Sequence, residues 1–156
     1  MEKKVYSGCQ FNIRLARPCD VQDVYGLVDL NDLDNVFQME FKIHRDTLKK
    51  NLRDLVYLDG VVFVEYLDKI IGGIAGYCLP CFFTDEKMFC TCFLYIKPEF
   101  RRFTKAILKE FEMSVLPTPI KKITYGIPFN DRSEQLVRFF NINGYKTLET
   151  HVMKRL

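Results

Sequence analysis

The chain contains no tryptophan, and 14 phenylalanines carry most of its aromatic content instead. An aromatic-rich core is expected from that, and nothing sharper. No apolar run reaches the roughly 20 residues that a membrane-spanning helix needs. Neither sign of charge dominates: 23 Lys and Arg against 20 Asp and Glu leave a net +3. That excess is too small to imply a nucleic-acid partner unless it is clustered on one face. The first apolar residues are interrupted by Lys3, Lys4, Ser7, Gly8 and Gln10, so no signal peptide is expected. Repeats, linkers and low-complexity tracts are missing too, which predicts one domain over 1–156.

What is present fits a globular chain in the cytoplasm. Its 48% apolar and 28% charged content is ordinary for that class, and 156 residues suffice to bury a core. The cysteines, Cys9, Cys19, Cys78, Cys81, Cys90 and Cys92, are expected to be reduced. Cys78-Leu-Pro-Cys81 has redox-motif spacing but does not open a helix. With Cys90 and Cys92 it could place four thiolates on one hairpin, a zinc alternative. The Cys-x-Cys half fits poorly, so packing cysteines and no metal are expected.

The hydrophobic pattern orders the chain. A short strand is predicted at Phe11–Ala16. Asp20 then caps a helix to about Leu30, with Val21, Val24, Leu27 and Val28 on one face. Asp46–Tyr57 is a second helix. Asp59-Gly60 leads into Val61–Leu67, and Asp68-Lys69 turns that strand into Ile70–Cys78. A strand at Phe89–Ile96, a helix at Thr104–Val115 and a break at Pro117–Pro119 follow. A strand at Ile120–Ile127, a helix at Arg132–Ile142 ended by Asn143-Gly144, and a weak last strand at Tyr145–Lys154 complete it.

The segment FCTCFLYIKPEFRRFTKAILKEFE, Phe89–Glu112, is the most informative. A strand that delivers arginines to a helix N-terminus is a ready anion site, because free backbone donors and the helix dipole converge there. Coenzyme A carries such an anion, its pyrophosphate. The glycines that usually let a backbone approach phosphate closely are missing from this loop.

The order β-α-α-β-β-β-α-β-α-β, with these local sequences, resembles the GNAT (Gcn5-related N-acetyltransferase) family, particularly its small bacteriophage-encoded versions. Four stretches carry the likeness: IRLARPCDVQDV, VVFVEYLDKIIGGIAGYCLPCFF, FLYIKPEFRR and NDRSEQLVRFFNINGYKTLETHVMKRL. The resemblance implies an α+β fold with a central mixed, mostly antiparallel sheet flanked by helices. It also implies acetyl-CoA or CoA held where two parallel strands splay apart. By that likeness Tyr95 and Ile96 match the pantetheine strand, and Arg101, Arg102, Phe103, Thr104 and Lys105 match the pyrophosphate loop. Asn130 matches an Asn that opens the last helix beside the cofactor.

The sequence departs from the family's chemistry at three places. The loop RRFTKAIL has no glycine where the family usually reads Arg/Gln-x-x-Gly-x-Gly/Ala. Thr91 stands where phage relatives often carry Glu, and Thr is no base near neutral pH. Glu40, Asp85, Glu86 and His44 are the remaining candidates for proton transfer. The family's acid Tyr falls at Phe140, which has no proton to give. No catalytic residue is therefore assigned. The expectation is a non-catalytic binding or assembly protein of virion-associated phage type, found in host cytoplasm or virion. Its expected partner is a protein, with phage structural proteins as candidates, and neither nucleic acid nor membrane. Cys78–Phe89 is the first candidate surface, and the C-terminal edge strand allows a homo-oligomer. The alternative is an active acetyl-CoA-dependent N-acetyltransferase acting on a small amine, a protein lysine or an N-terminus.

Overall fold

The computed structural model describes residues 11–29, 44–81, 84–127 and 132–147. Its sheet grows outward from a strand that is buried on both faces. In β2 (Val61–Tyr66), Val61 and Phe63 point to one face while Val62 and Val64 point to the other, and all four are buried. A continuous apolar run of this kind marks a strand covered on both sides, because successive side chains alternate. Flanking it are β1 (Asn12–Leu15) and β3 (Lys69–Pro80), followed by β4 (Lys87–Ile96) and β5 (Ile120–Tyr125). The order is β1-β2-β3-β4-β5, antiparallel except for the parallel β4–β5 pair.

Helices cover the two faces. On one, α1 (Val21–Asp29) sets Val24, Leu27 and Val28 against Leu52, Leu55 and Val56 of α2 (Arg45–Val56), all over Phe63 and Ala75. On the other, α3 (Thr104–Val115) buries Ile107, Leu108 and Phe111, and α4 (Ser133–Ile142) buries Phe140. Each stripe follows helical spacing, so the sequence itself names the inward face. Parallel pairing of β4 and β5 requires a crossover, and α3 supplies it. Among the described residues no helix is long and apolar enough to cross a membrane.

The predicted order holds through α4, and α3 falls on its predicted residues. Three details differ. The β2–β3 turn is Leu67-Asp68, not Asp68-Lys69: both have positive φ (49° and 59°), and Tyr66 pairs with Lys69. That is the two-residue turn whose twist suits a hairpin, with Leu67 in a conformation that β-turn rules reserve for Gly or Asn. Asp20 does not cap α1 forward. It closes a 3-10 turn, Pro18–Asp20, and its carboxylate accepts the Arg17 N–H at 2.7 Å. The last predicted strand lies outside the described residues beyond Thr147, and Tyr145–Thr147 is not in a strand. Gly144 ends α4 as expected, at φ 91°.

A candidate ligand cleft at the β4–β5 fork

The functional geometry begins with a fault in β4. Ala75 pairs with Phe93 and Gly76 with Thr91, so Cys92 is left as the extra residue of a bulge. Gly76 makes this possible: a Cβ there would sit 2.3 Å from the Cys90 carbonyl oxygen. The Cys92 thiol lies 3.4 Å from the Ala75 carbonyl oxygen. Parallel pairing with β5 ends at the same level, at Thr91↔Tyr125, while β4 runs on beside β3 to Ile96. Among the described residues the two parallel strands therefore part company at the bulge.

At the fork the chain buries a hydroxyl that it does not satisfy. Thr91 Oγ1 is buried without a hydrogen-bond partner, while the buried Tyr125 hydroxyl faces that of Tyr145. Leaving such a group unpaired costs about 1–3 kcal/mol. Burial also pushes the Tyr125 phenol well above its ordinary range. Its ring stacks on Phe140 (centroids 4.9 Å apart) and meets Tyr145 edge-on at 5.4 Å. Tyr145 in turn hydrogen-bonds the Glu112 carboxylate of α3. Burial first, then that bond, raises the Tyr145 phenol too. Below this ring cluster a shallow groove of about 300 Å³ runs between the end of α3, β5 and the Asn143–Tyr145 turn. Asn143 donates to the Phe139 carbonyl at 2.7 Å, while its own Oδ1 is buried and unpaired.

The loop into α3 is a 3-10 turn, Pro98–Phe103, continuous with the helix. Two backbone donors of this turn are engaged at home. Phe100 N–H bonds the Lys97 carbonyl at 2.9 Å, and Thr104 N–H bonds the Arg101 carbonyl. The Thr104 hydroxyl donates to that same Arg101 carbonyl at 2.6 Å. Arg101 Nε turns back to the Ile96 carbonyl at 3.2 Å, and the Arg102 guanidinium lies 4.8 Å from the Phe103 ring centroid. Phe103 itself packs inward, 5.7 Å from Phe11 between ring centroids. Lys105 is exposed on the first turn of α3. Without glycine the turn tightens instead of wrapping around a ligand.

The structure brings together some of the residues read from sequence. Tyr95 and Ile96 lie on β4 beyond the bulge; Ile96 is buried with the α3/α4 face, and Tyr95 packs against the α1/α2 face. Arg101 to Lys105 follow β4 directly, in the turn and the first residues of α3. Asn130 and Glu40 lie outside the described residues. His44 and Asp85 are exposed, and Glu86 is taken by Lys122 at 2.8 Å. Phe140 is buried among three aromatic rings, those of Tyr125, Phe139 and Tyr145. Cys78–Phe89 forms the outer part of the β3–β4 hairpin, where Tyr77 and Leu79 stand exposed; residues 82 and 83 lie outside the described set. The hairpin does not gather its thiols: among the described residues no three His, Cys, Asp or Glu side chains could share a metal. Sequence reasoning missed Tyr125, Tyr145, Glu112 and Asn143. A tyrosine at the end of a parallel strand, just before a glycine, was the one local signal available.

No protein-family model matches the chain, and no curated protein matches it by sequence. Solved structures do match in shape. An aminoglycoside acetyltransferase from an uncultured soil metagenomic sample, in complex with sisomicin, superposes with a TM-score of 0.68 at 16% identity. That match covers 94% of this chain and 96% of the other. A GNAT family acetyltransferase from Staphylococcus aureus gives 0.65 at 21% identity, covering 94% and 98%. A predicted acetyltransferase from Clostridium acetobutylicum, solved with acetyl-CoA, gives 0.64 at 15% identity, covering 94% and 96%. At these identities the likeness is one of architecture, and it spans nearly the whole length. The chain has the fold of the GNAT acetyltransferases.

Proposed function

We propose that this protein uses the GNAT fold for binding and not for acyl transfer, its partner being another protein. The observation that carries the reading is the closed turn before α3. A pyrophosphate needs converging N–H groups at a helix N-terminus, and here Phe100 N–H and Thr104 N–H already bond carbonyls of the turn itself. Phe140 adds to this, because a buried phenyl ring cannot protonate a departing thiolate. Proteins of this form encoded by tailed phages serve as virion or assembly components, and that role is the one proposed.

The test is calorimetric titration with CoA and acetyl-CoA, paired with thermal melts. A micromolar ligand at 1 mM would stabilise the native state by about 4 kcal/mol. For a domain of this size that is a rise of roughly 10 °C in Tm. The expected result is no heat and no rise. Micromolar binding with thiol release in the presence of any of a panel of amines would overturn the reading.

One observation favours a second reading, an acetyl-CoA-dependent N-acetyltransferase acting on a small amine, a protein lysine or an N-terminus. The β4–β5 fork with its bulge is intact, and neighbours of the same architecture were solved with acetyl-CoA and with sisomicin. Under this reading Phe140→Tyr would raise turnover of an acyl donor, since the ring position is already set by its packing.

A further inference from the structure

We infer that the groove between the end of α3, the start of β5 and the Asn143–Tyr145 turn is where the protein partner docks, by an aromatic side chain with an N–H or O–H donor set among acidic residues; this rests on the binding reading above. The groove holds about 300 Å³ and lies at the Ile120 end of β5, away from the Thr91↔Tyr125 fork. That volume is at the lower end for ligand pockets and suits one anchoring side chain. Three observations define the occupant. First, the wall is apolar and so is the lip. Val115, Leu116 and Ile120 line the groove. Leu116 and Met113, one turn apart on α3, are more than half exposed, and so is Ile142, next to Asn143. Exposed apolar side chains gathered at one place and rimmed by charge mark a protein interaction site.

Second, Asn143 lines the groove, and its Oδ1 is buried and unpaired while its Nδ2 donates to the Phe139 carbonyl. An acceptor in an apolar wall selects a donor, and Trp and Tyr are the interface anchors that join a large apolar body to one. Third, the surround is cationic. Lys121 and Lys122 line the groove, Lys146 follows Tyr145, and Lys121 and Lys146 are exposed. The Glu112 carboxylate on the groove wall already accepts from the Tyr145 hydroxyl. Such a surround attracts carboxylates and repels a guanidinium, so it favours acidic residues beside the anchor and disfavours Arg as the anchor. It also disfavours a second copy of this chain, because two-fold pairing sets the same lysines against each other.

A random decapeptide library is selected against the full chain, and the most enriched peptides are synthesised. The chain has no Trp, so the emission of a Trp-containing peptide reports its own burial. The expected peptides carry Trp or Tyr with Asp or Glu beside it, and they bind more weakly as salt rises. They shift the backbone amide resonances of Leu116, Lys121 and Gly144. The double variant Lys121→Glu/Lys146→Glu, exposed at both positions, weakens them about tenfold while its melting temperature holds. Methylating the donor of the anchor weakens them about fivefold. No enrichment, resonance shifts confined to another surface, or indifference to the charge reversal or to methylation would each overturn the inference. So would a dimer of the chain in sedimentation that Leu116→Asp dissolves, because a second copy would then hold the groove. The CoA titration above is a separate measurement: binding and turnover there overturn the binding reading, whereas failed peptides with CoA silent remove only this groove as the docking site.

Discussion

The two flanks of the sheet treat their polar side chains in opposite ways. At the β1 flank Arg14 is saturated: it meets Asp20 at 2.7 Å and Glu65 at 2.6 Å, and its guanidinium lies 5.1 Å from the centroid of the buried Phe63 ring. The two carboxylates take further bonds from Arg17 N–H and Asn12. At the β4–β5 flank Thr91 and Asn143 each bury a polar atom with no partner. The first flank ties β1, the 3-10 turn and β2 together and has nothing left to offer a ligand. The second leaves the Thr91 hydroxyl and the Asn143 side-chain oxygen unpaired. A partner would gain most at the second edge, because unpaired buried groups gain most from a partner.

Breaking the saturated flank gives the largest expected effect. Arg14→Met leaves the Asp20 and Glu65 carboxylates facing each other's field without their cation. A destabilisation of about 3 kcal/mol is expected, at the lower end for a broken buried pair because Arg14 is partly exposed. Urea unfolding at pH 7 measures it, and a loss below about 0.5 kcal/mol would mean that solvent already screens the cluster. The same ion pair sets an acid limit. The hydrogen bond from Arg14, then that from Arg17 N–H, holds the Asp20 carboxyl below its ordinary value. Its folded pKa lies under its unfolded one, so its contribution is complete above the unfolded value, near pH 4, and fades as pH falls through the folded one. Wild type should lose stability across that acid range, and Arg14→Met should lose less of it. On the open flank, Tyr145→Phe removes the one bond that Glu112 receives from this ring cluster, and about 1–2 kcal/mol is expected to go with it.

This contrast was only half legible in the sequence. The stripes Val24, Leu27, Val28 and Leu52, Leu55, Val56 announce the inward faces of α1 and α2, since helical spacing is local. The run Val61–Val64 announces a central strand for the same reason. Asp20 was visible as a capping residue, yet its partner Arg14 lies on another element and was not. The Leu67-Asp68 turn was displaced by one residue because Asp68 carries a turn signal and Leu67 carries none; strand register overrode local preference. The bulge needs Cys92 on one strand and Gly76 on the next, a pairing that no local pattern encodes. The basic loop was found, but not its closure. That depends on 3-10 hydrogen bonds which a missing glycine permits and does not by itself dictate.

The smallest effect is the sharpest test of the open flank, because its sign is reversed. Thr91→Val keeps the shape and the strand preference of the side chain and deletes only the hydroxyl. If that hydroxyl is buried without a partner, as the fork geometry has it, its removal relieves a desolvation cost and the domain gains up to about 1 kcal/mol. The melting temperature then rises by roughly 2–4 °C. A variant that loses stability would show that Thr91 Oγ1 serves the fold after all, and the fork would join the saturated flank as structure.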